Sequence, residues 1–374
     1  MQTPRIYLDH AATTPLLAEA RAVMLPWLDS GNASSLYLEG RRAKNAIDSA
    51  RESVSNALSC LFAEVLFTSG GTEGAVMAIL GAALANEDLR RTKILMSAAE
   101  HHAVLNTADA LGRLGYRVEH IAVDQFARVD MERLRQQMGD DVLLVSVMHA
   151  NNEFGTVNDL DAIVPIVHAH GALFHTDAVQ SFLTDYHINP SDLKIDLLTV
   201  SGHKVHGPKG VGAIYLRAGV KIKPIMAGGG QEREMRGGTE NVAAIAGFGA
   251  AVSAVPREIS SAPRDHFLAN ISGIPSVNGA NHGPILNGHA HVRFPGIQAE
   301  TMLIRLDLMG LSASSGAACS SGSIEPSHVM LAAGFSGIEA REGVRFTFGR
   351  CSTLEIAKSA AEIVERAVAA IRSA

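Results

Sequence analysis

The stretch Ser201-Gly-His-Lys-Val-His-Gly-Pro-Lys-Gly210 contains Lys204, the residue around which the rest of the chain is best understood. An apolar run, Asp196-Leu-Leu-Thr-Val200, precedes it, and another, Val211-Gly-Ala-Ile-Tyr-Leu216, follows it. The pattern predicts two strands joined by a tight loop. A lysine amine attacks carbonyl groups only when it is unprotonated, and this loop surrounds it with Gly, His and Pro rather than carboxylates. Lys204 is therefore a candidate Schiff-base lysine, with a solvated loop lysine as the alternative.

A carboxylate stands at a matching position upstream. Asp177 lies in Phe174-His-Thr-Asp-Ala-Val-Gln180, 27 residues before Lys204. An acidic residue at the end of one strand and a lysine beyond the next suit a pyridoxal phosphate site. The lysine forms the Schiff base, and the aspartate keeps the pyridine nitrogen protonated so that the ring can accept electrons.

Further motifs occur along almost the whole chain. They are Tyr7-Leu-Asp-His-Ala-Ala-Thr-Thr-Pro15, Phe67-Thr-Ser-Gly-Gly-Thr-Glu73, Glu100-His-His-Ala-Val104, His149-Ala-Asn-Asn-Glu153, Met235-Arg-Gly-Gly-Thr239 and Ser314-Ser-Gly-Ala-Ala-Cys-Ser-Ser321. With the segments of Asp177 and Lys204, and in this order, they resemble the NifS/IscS-type cysteine desulfurases of the class V aminotransferase group. The resemblance implies a fold-type I pyridoxal phosphate enzyme.

The expected fold is α/β. Strands that are apolar throughout alternate with helical patterns between Val65 and Thr176, which indicates a mainly parallel sheet covered on both faces. Ligands of such sheets bind beyond the carboxyl ends of the strands, where the motifs fall. We expect a large domain over residues 16–256 with a seven-stranded sheet. Residues 1–15 and 257–374 are expected to form a smaller α/β domain that carries the candidate catalytic cysteine.

Bulk composition narrows the function. The chain has 374 residues, 47% apolar and 19% charged, with a net charge of −6. No basic patch stands out and no apolar run is long enough to cross a bilayer, so direct nucleic-acid or membrane binding is not expected. We expect a cytoplasmic protein. Three cysteines without a Cys-x-x-Cys pair, and histidines without a His-Glu-x-x-His pattern, argue against a disulfide framework and a metal site.

The segment Ser69-Gly-Gly-Thr72 lies between a predicted strand and a predicted helix. Glycines allow close backbone approach, and free N–H groups at a helix start attract an anion. We expect a phosphate cradle with Gly71 and Thr72 as principal contacts; a plain strand–helix turn is the alternative. The resemblance adds Ser201 and His203 as phosphate contacts. It also adds Thr239, contributed across subunits, which implies a homodimer.

The resemblance gives roles to three more polar residues near the ring of the cofactor. His101 would stack on the pyridine ring and carry protons, as an imidazole can near neutral pH. Gln180 would hydrogen-bond the phenolic oxygen, and Asn152 would contact substrate or cofactor. Gln180 and Asn152 could instead be turn residues that cap strand ends.

Cys319 lies in Ser312-Ala-Ser-Ser-Gly-Ala-Ala-Cys-Ser-Ser-Gly-Ser323, where small residues predict a mobile, exposed loop. An exposed free thiol is a liability unless it is used. The resemblance implies that Cys319 takes sulfur from the substrate and carries it to an acceptor. It also implies that Arg345 holds the substrate carboxylate through its planar fork, with Arg350 as the alternative.

The expected reaction is removal of sulfur from L-cysteine, which leaves L-alanine and a Cys319 persulfide that passes to an acceptor protein. An aminotransferase of the same fold would need Lys204 and Asp177 but not Cys319. A selenocysteine lyase and a non-catalytic scaffold are further alternatives. The chain ends without the longer tail by which some relatives dock their scaffold. Iron–sulfur cluster assembly, tRNA thiolation and DNA sulfur modification therefore all stay open as pathways.

Overall fold

The computed structural model describes residues 5–29, 31–277, 283–316 and 325–373. In these ranges no helix is both long and apolar enough to cross a membrane. The strands are β1 Ile6–Tyr7, β2 Val65–Thr68, β3 Lys93–Ser97, β4 Arg117–Ile121, β5 Val142–Ser146, β6 Leu173–Asp177, β7 Leu197–Ser201, β8 Gly212–Leu216, β9 Ile274–Pro275, β10 His289–Arg293, β11 Leu311–Ser312 and β12 Gly343–Thr347.

Helices surround these strands and connect most of them. They are α1 Ala18–Met24, α2 Leu38–Leu58, α3 Gly71–Ala85, α4 His102–Leu105, α5 Ala108–Arg113, α6 Met131–Gln137, α7 Leu160–Ala169, α8 Val242–Ala254, α9 Ala262–Ala269, α10 Ala299–Leu308, α11 His328–Ala332 and α12 Leu354–Arg372.

The central sheet has seven strands in the order β2-β8-β7-β6-β5-β3-β4. β8 runs antiparallel to both of its neighbours, and the remaining pairs are parallel. Buried apolar side chains form one cluster on each face of this sheet, with α2 and α8 contributing to one and α3 to the other. The expected mainly parallel, seven-stranded α/β sheet is confirmed. The carboxyl ends of the parallel strands β3, β5, β6 and β7 therefore lie along the same edge of the sheet.

A third apolar cluster lies apart from the central sheet. It includes Leu8 from the N-terminal arm and buried side chains of β10, β12, α10 and α12. The arm joins it through β1, which pairs in parallel with β11, and through Leu8 O, which accepts from Thr347 N at 2.7 Å. Strands β12, β10 and β9 form an antiparallel sheet in the same region. The division into two domains at residue 256 stays a prediction.

One predicted helix is wrong in its extent. The apolar pattern predicts a single helix over residues 102–114, but the structure has α4 and α5 with a break at Asn106 and Thr107. Thr107 Oγ1 donates to Val104 O at 2.7 Å, and the hydroxyl is buried. Such local side-chain bonds compete with the regular helix ladder. The break places His101 at the start of a short helix.

Candidate active site

Lys204 lies just beyond β7, where the N-terminal arm crosses the loop. Its Nζ donates to the backbone oxygens of Ala11 and Ala12, the latter at 2.9 Å. The arm is held there by Thr14, whose N and Oγ1 both donate to His203 O at 2.9 Å. Two backbone carbonyls of the N-terminal arm therefore accept hydrogen bonds from the amine.

Asp177 ends β6 and is 6% exposed. Burial raises its pKa to about 6, while a hydrogen bond from Val179 N and the positive charge of Lys204 act in the opposite direction. The electrostatic coupling to Lys204 places the two predicted residues in one site. A buried carboxyl beside a cation is suited to hold a protonated ring nitrogen.

Glu100 is a further carboxyl group beside Asp177, and sequence reasoning gave it no role. It is fully buried, and burial together with the charge of Asp177 raises its pKa well above the usual range. Its Oε1 accepts from Met148 N, whereas its Oε2 has no partner among the described residues. Only its place in the Glu-His-His motif could have marked it, because its proximity to Asp177 depends on the pairing order of the strands.

His101 caps the N-terminus of α4. Its Nδ1 accepts from Ala103 N at 3.0 Å, so the proton of the neutral ring is on Nε2. Burial and the charge of Lys204 lower its pKa to about 4. The ring is neutral near pH 7, with an Nε2–H to donate.

The predicted phosphate cradle lies where β2 turns into α3. Gly70 has φ +152°, and a Cβ on Gly71 would come within 2.9 Å of Val179 Cγ2 and 3.7 Å of Ser201 Cβ. Ser201, at the end of β7, has a buried Oγ that no described protein atom partners. A helix start with free N–H groups faces an orphaned hydroxyl across a space that only glycine leaves open.

Two other predicted phosphate contacts differ in their surroundings. His203 Nδ1 is 3.2 Å from Thr13 Oγ1, and burial and Lys204 lower its pKa to about 4. Thr239 is exposed. Its segment is tied to the cradle helix because Arg236 Nε donates to Glu73 Oε1 at 2.8 Å. Thr239 is therefore accessible to a second molecule.

Arg345 lies in β12, 4% exposed, and connects the two apolar regions. Its Nη1 donates to Asn152 O at 2.8 Å and its Nη2 to Asp9 Oδ1 at 2.9 Å. Its Nε is buried with no partner among the described residues. The structure thus joins two predicted substrate residues, Arg345 and Asn152. It adds Asp9, which sequence reasoning missed because its contact spans 336 residues.

Gln180 and Arg350 line a cavity of about 50 Å³ beside Lys204. Gln180 Nε2 donates to Ala11 O at 3.0 Å, the same oxygen that Lys204 uses. Arg350 Nε donates to Pro256 O at 2.6 Å, and its Nη2 donates to Leu183 O. Burial lowers the pKa of Arg350 to about 10. Arg350 therefore already uses two of its nitrogen atoms on backbone carbonyls.

The predicted nucleophile, Cys319, lies outside the described residues. The other two cysteines are described: Cys60 is half-buried and Cys351 is exposed. Burial, with the charge of Glu64, raises the pKa of Cys60 to about 12, which makes it a poor nucleophile. Neither lies among the groups that surround Lys204.

The residues present fit pyridoxal phosphate. The orphaned Ser201 hydroxyl and the start of α3 would take its phosphate, Asp177 its ring nitrogen and Lys204 its aldehyde. His101, which interacts electrostatically with Lys204, and Gln180, which shares the Ala11 oxygen with Lys204, would offer further hydrogen-bonding groups. These protein groups suit an anionic, aromatic aldehyde better than they suit a metal ion.

Comparison with known proteins identifies the family of this chain. Residues 6–358 match the family model described as aminotransferase class V. A curated relative from Dictyoglomus turgidum, named cysteine desulfurase IscS, is 39% identical over 98% of this chain and 95% of its own length.

Solved structures agree with the sequence comparison. A structure titled NifS-like protein superposes with a TM-score of 0.88 at 29% identity, covering 98% of this chain and 99% of that one. Another, titled SspA in complex with cysteine, has a TM-score of 0.81 at 32% identity over 93% of this chain and 99% of that one. The resemblance inferred from the motifs is confirmed.

Proposed function

Because the chain belongs to the class V aminotransferase family, we propose that it is a pyridoxal phosphate-dependent cysteine desulfurase. The proposal rests on four groups: Lys204, the buried Asp177, the neutral His101 and the Ser201 hydroxyl. The Ser201 hydroxyl has no partner among the described residues. Relatives named cysteine desulfurase, similar over nearly the full length, supply the substrate class. When bound, the cofactor supplies an electron sink for the carbanion formed at the substrate α-carbon.

The side chains around this sink divide the remaining work. With the cofactor bound, Lys204 would hold its aldehyde group, and the Nζ of Lys204 would take the α-proton of the substrate. Asp177 would hold the ring nitrogen, and its negative charge would favour protonation of that nitrogen. Arg345 offers an Nε–H to the substrate carboxylate, while Asp9 and Asn152 O fix its terminal nitrogen atoms.

Cys319 is proposed as the sulfur acceptor. Its thiolate attacks the sulfur of the bound cysteine, an S–S bond forms and the Cβ–S bond breaks. The electron pair of the Cβ–S bond remains with the substrate carbon, which is protonated to give L-alanine. The products are alanine and a Cys319 persulfide, so all atoms of cysteine and thiol are accounted for.

Substitution of the proposed acceptor tests the covalent route. We expect Cys319→Ser to retain the yellow cofactor and to lose sulfide release under reductant. Cys351→Ser is the matched control and should behave as the wild type, because Cys351 is exposed and takes no part in the proposed chemistry. Normal desulfuration by Cys319→Ser would overturn the proposal. A keto acid instead of alanine as the product from cysteine would point to the aminotransferase alternative.

Two further parts of the proposal concern the protein partners of this chain. The persulfide is proposed to pass to an acceptor protein, which trapping on Cys319 followed by mass spectrometry would identify. A homodimer in which Thr239 reaches the partner's phosphate is proposed from the exposure of Thr239 and from the Arg236–Glu73 pair that holds its segment at the cradle helix. A cytoplasmic location is proposed with them.

A further inference from the structure

Glu153 is a buried carboxyl group that the mechanism above does not use. It lies in the turn after β5 and is 1% exposed. Its backbone N and that of Phe154 both donate to Asn151 Oδ1 at 2.9 Å, and Asn151 Nδ2 donates to Ala99 O at 3.1 Å. The backbone that carries the carboxyl group is therefore fixed by its own turn.

Two residues that are distant in sequence meet this carboxyl group. Ser327 Oγ donates to Glu153 Oε2 at 2.5 Å, and the same Oγ accepts from Met330 N as the N-cap of α11. Gly316 lies against the carboxyl group from another element. A Cβ on Gly316 would come within 2.8 Å of Glu153 Cδ and Oε2, and Gly316 has φ +76°. Only glycine combines the positive φ with the absence of a Cβ that this position requires.

Gly316 and Ser327 are the residues between which the sequence carries Cys319. Cys319 follows Gly316 by three positions in the sequence and precedes Ser327 by eight. Ser314, two residues before Gly316, is paired with Arg345 in both directions, through N···O distances of 3.1 and 2.6 Å. The carboxyl group of Glu153 thus lies against the chain just after Ser314, which pairs with the strand that carries Arg345, and again where the chain enters α11.

Burial of a carboxyl group at this position is energetically unfavourable. Burial raises the pKa of Glu153 to about 7, against the hydrogen bond from Ser327 and the charges of Arg345 and His102. No ion pair to Glu153 forms among the described residues, although Arg345 is nearby. An apolar side chain would avoid the desolvation cost. It could not bond Ser327.

We propose that Glu153 is a positioning residue for the sulfur-transfer step, because it fixes both anchor points, Gly316 and Ser327, of the segment that carries Cys319. This inference rests on the proposed function and adds to it a residue that acts through Cys319. Loss of the carboxyl group slows formation of the Cys319 persulfide, and binding of L-cysteine is retained.

The test compares single-turnover persulfide formation, followed by intact mass, with cysteine binding, followed by the absorbance change of the holoenzyme. For Glu153→Ala we expect the persulfide rate and kcat to fall about tenfold to a hundredfold, since small displacements of a reacting group cost this much. KM and the cysteine titration should stay within about twofold. Glu153→Gln retains an oxygen acceptor for Ser327 and should recover most of the rate.

Ser327→Ala removes the donor and leaves Glu153 in place, so it is the second variant if Glu153→Ala does not fold. We expect it to slow the same step about fivefold or more. The matched control is Glu64→Ala, which removes another buried glutamate, one that accepts from Leu61 N and Ala218 N. It should lower the Tm without changing the persulfide rate.

Two results would overturn the inference. The first would exclude only the role of Glu153, and the second would exclude the proposed function as well. Glu153→Ala with a wild-type persulfide rate, or with a loss that appears equally in cysteine binding, excludes positioning of Cys319 while the desulfurase proposal stands. Absence of any Cys319 persulfide in the wild-type holoenzyme overturns the proposed function and this inference together.

Discussion

The histidines nearest Lys204 are neutral at physiological pH for a common reason. His101 and His203 are both partly buried and both feel the positive charge of Lys204, and each pKa is lowered to about 4. Neutral rings can stack on a cofactor or accept and donate single hydrogen bonds, but they add no positive charge around the amine. A Schiff-base lysine must react as the neutral amine, and neutral rings do not stabilise its protonated form.

The Ser201 hydroxyl gives a prediction that separates cofactor binding from stability. Because Ser201 Oγ has no partner in the described protein, Ser201→Ala should leave the urea midpoint of the cofactor-free protein nearly unchanged. A lost hydrogen bond to a charged phosphate should weaken pyridoxal phosphate binding about tenfold or more. Equilibrium titration of the cofactor absorbance measures the affinity.

The control for this prediction is Ser146→Ala. Ser146 is also buried at the end of a strand, but its Oγ is 2.8 Å from His175 Nδ1. We expect this variant to lower stability and to leave cofactor affinity intact. Equal affinities of the Ser201→Ala variant and the wild type would remove Ser201 from the phosphate site.

Individual site residues could be predicted where a local motif carries the chemistry. Lys204, Asp177 and Gly71 are marked by their own neighbours in sequence, and the structure brings Lys204 and Asp177 into one site. Asp9 and Glu100 were missed because their importance comes from partners far along the chain. The carbonyl of Ala11 was missed for a different reason, since a backbone oxygen leaves no trace in the residue type.

At the scale of elements, the start of α3 depends on glycine at one position. Gly71→Ala would place a Cβ 2.9 Å from Val179 Cγ2 and into the space between the helix start and Ser201. We expect cofactor affinity to fall about tenfold or more, because the phosphate loses part of its close approach to the backbone. Absorbance titration measures the change.

The matched control is Gly112→Ala in α5, where an added Cβ meets no atom within 4 Å. An alanine there should stabilise the protein slightly, by up to about 1 kcal/mol, and leave cofactor binding alone. Unchanged affinity in Gly71→Ala would show that the phosphate approaches from another side.

The bounds of strands and helices could be predicted where every residue of the element is buried. They could be predicted less well where a polar side chain determines where the element ends. β2 and β3 coincide with the predicted apolar runs, since continuous burial produces continuous hydrophobicity. β5 ends at Ser146, two residues before the end of its apolar run. The break between α4 and α5 comes from the Thr107 hydroxyl, and the apolar pattern on both sides of it is that of one helix.

For the whole molecule, buried histidines should dominate the response to acid. Seven of them have pKa values lowered to about 4 or about 3, mainly by burial: His10, His101, His149, His175, His203, His289 and His291. Their contribution to stability is present above the unfolded pKa of about 6.5 and is lost as the pH falls through the folded values.

Three buried carboxyl groups act in the opposite direction. Asp177, Glu153 and Glu100 have raised pKa values, so their contribution is present at low pH and is lost as the pH rises through about 6 to 7 for the first two. The histidines outnumber them, so unfolding near pH 5 should take up roughly four protons net. We expect the urea midpoint of the cofactor-free protein to fall steadily from pH 6.5 to pH 4. A constant or rising midpoint would contradict this.

Assembly of the site from two chains can be tested by mixing inactive variants. Lys204→Ala lacks the Schiff-base amine, and Thr239→Ala lacks the proposed contact to the partner's phosphate. In a mixed dimer one site carries both defects and the other carries none, because its own Lys204 is intact and its Thr239 comes from the other chain. Random pairing of equal amounts should therefore restore about a quarter of wild-type desulfuration.

The control pairs Lys204→Ala with Asp177→Asn. Lys204 acts on the pKa of Asp177 within one chain, so each site of the mixed dimer retains one defect and no activity should return. If Thr239 instead served the site of its own chain, the first mixture would also stay inactive. Recovery in the first mixture and not in the second would require that Thr239 acts across the interface, and that a monomer of this chain has an incomplete phosphate site.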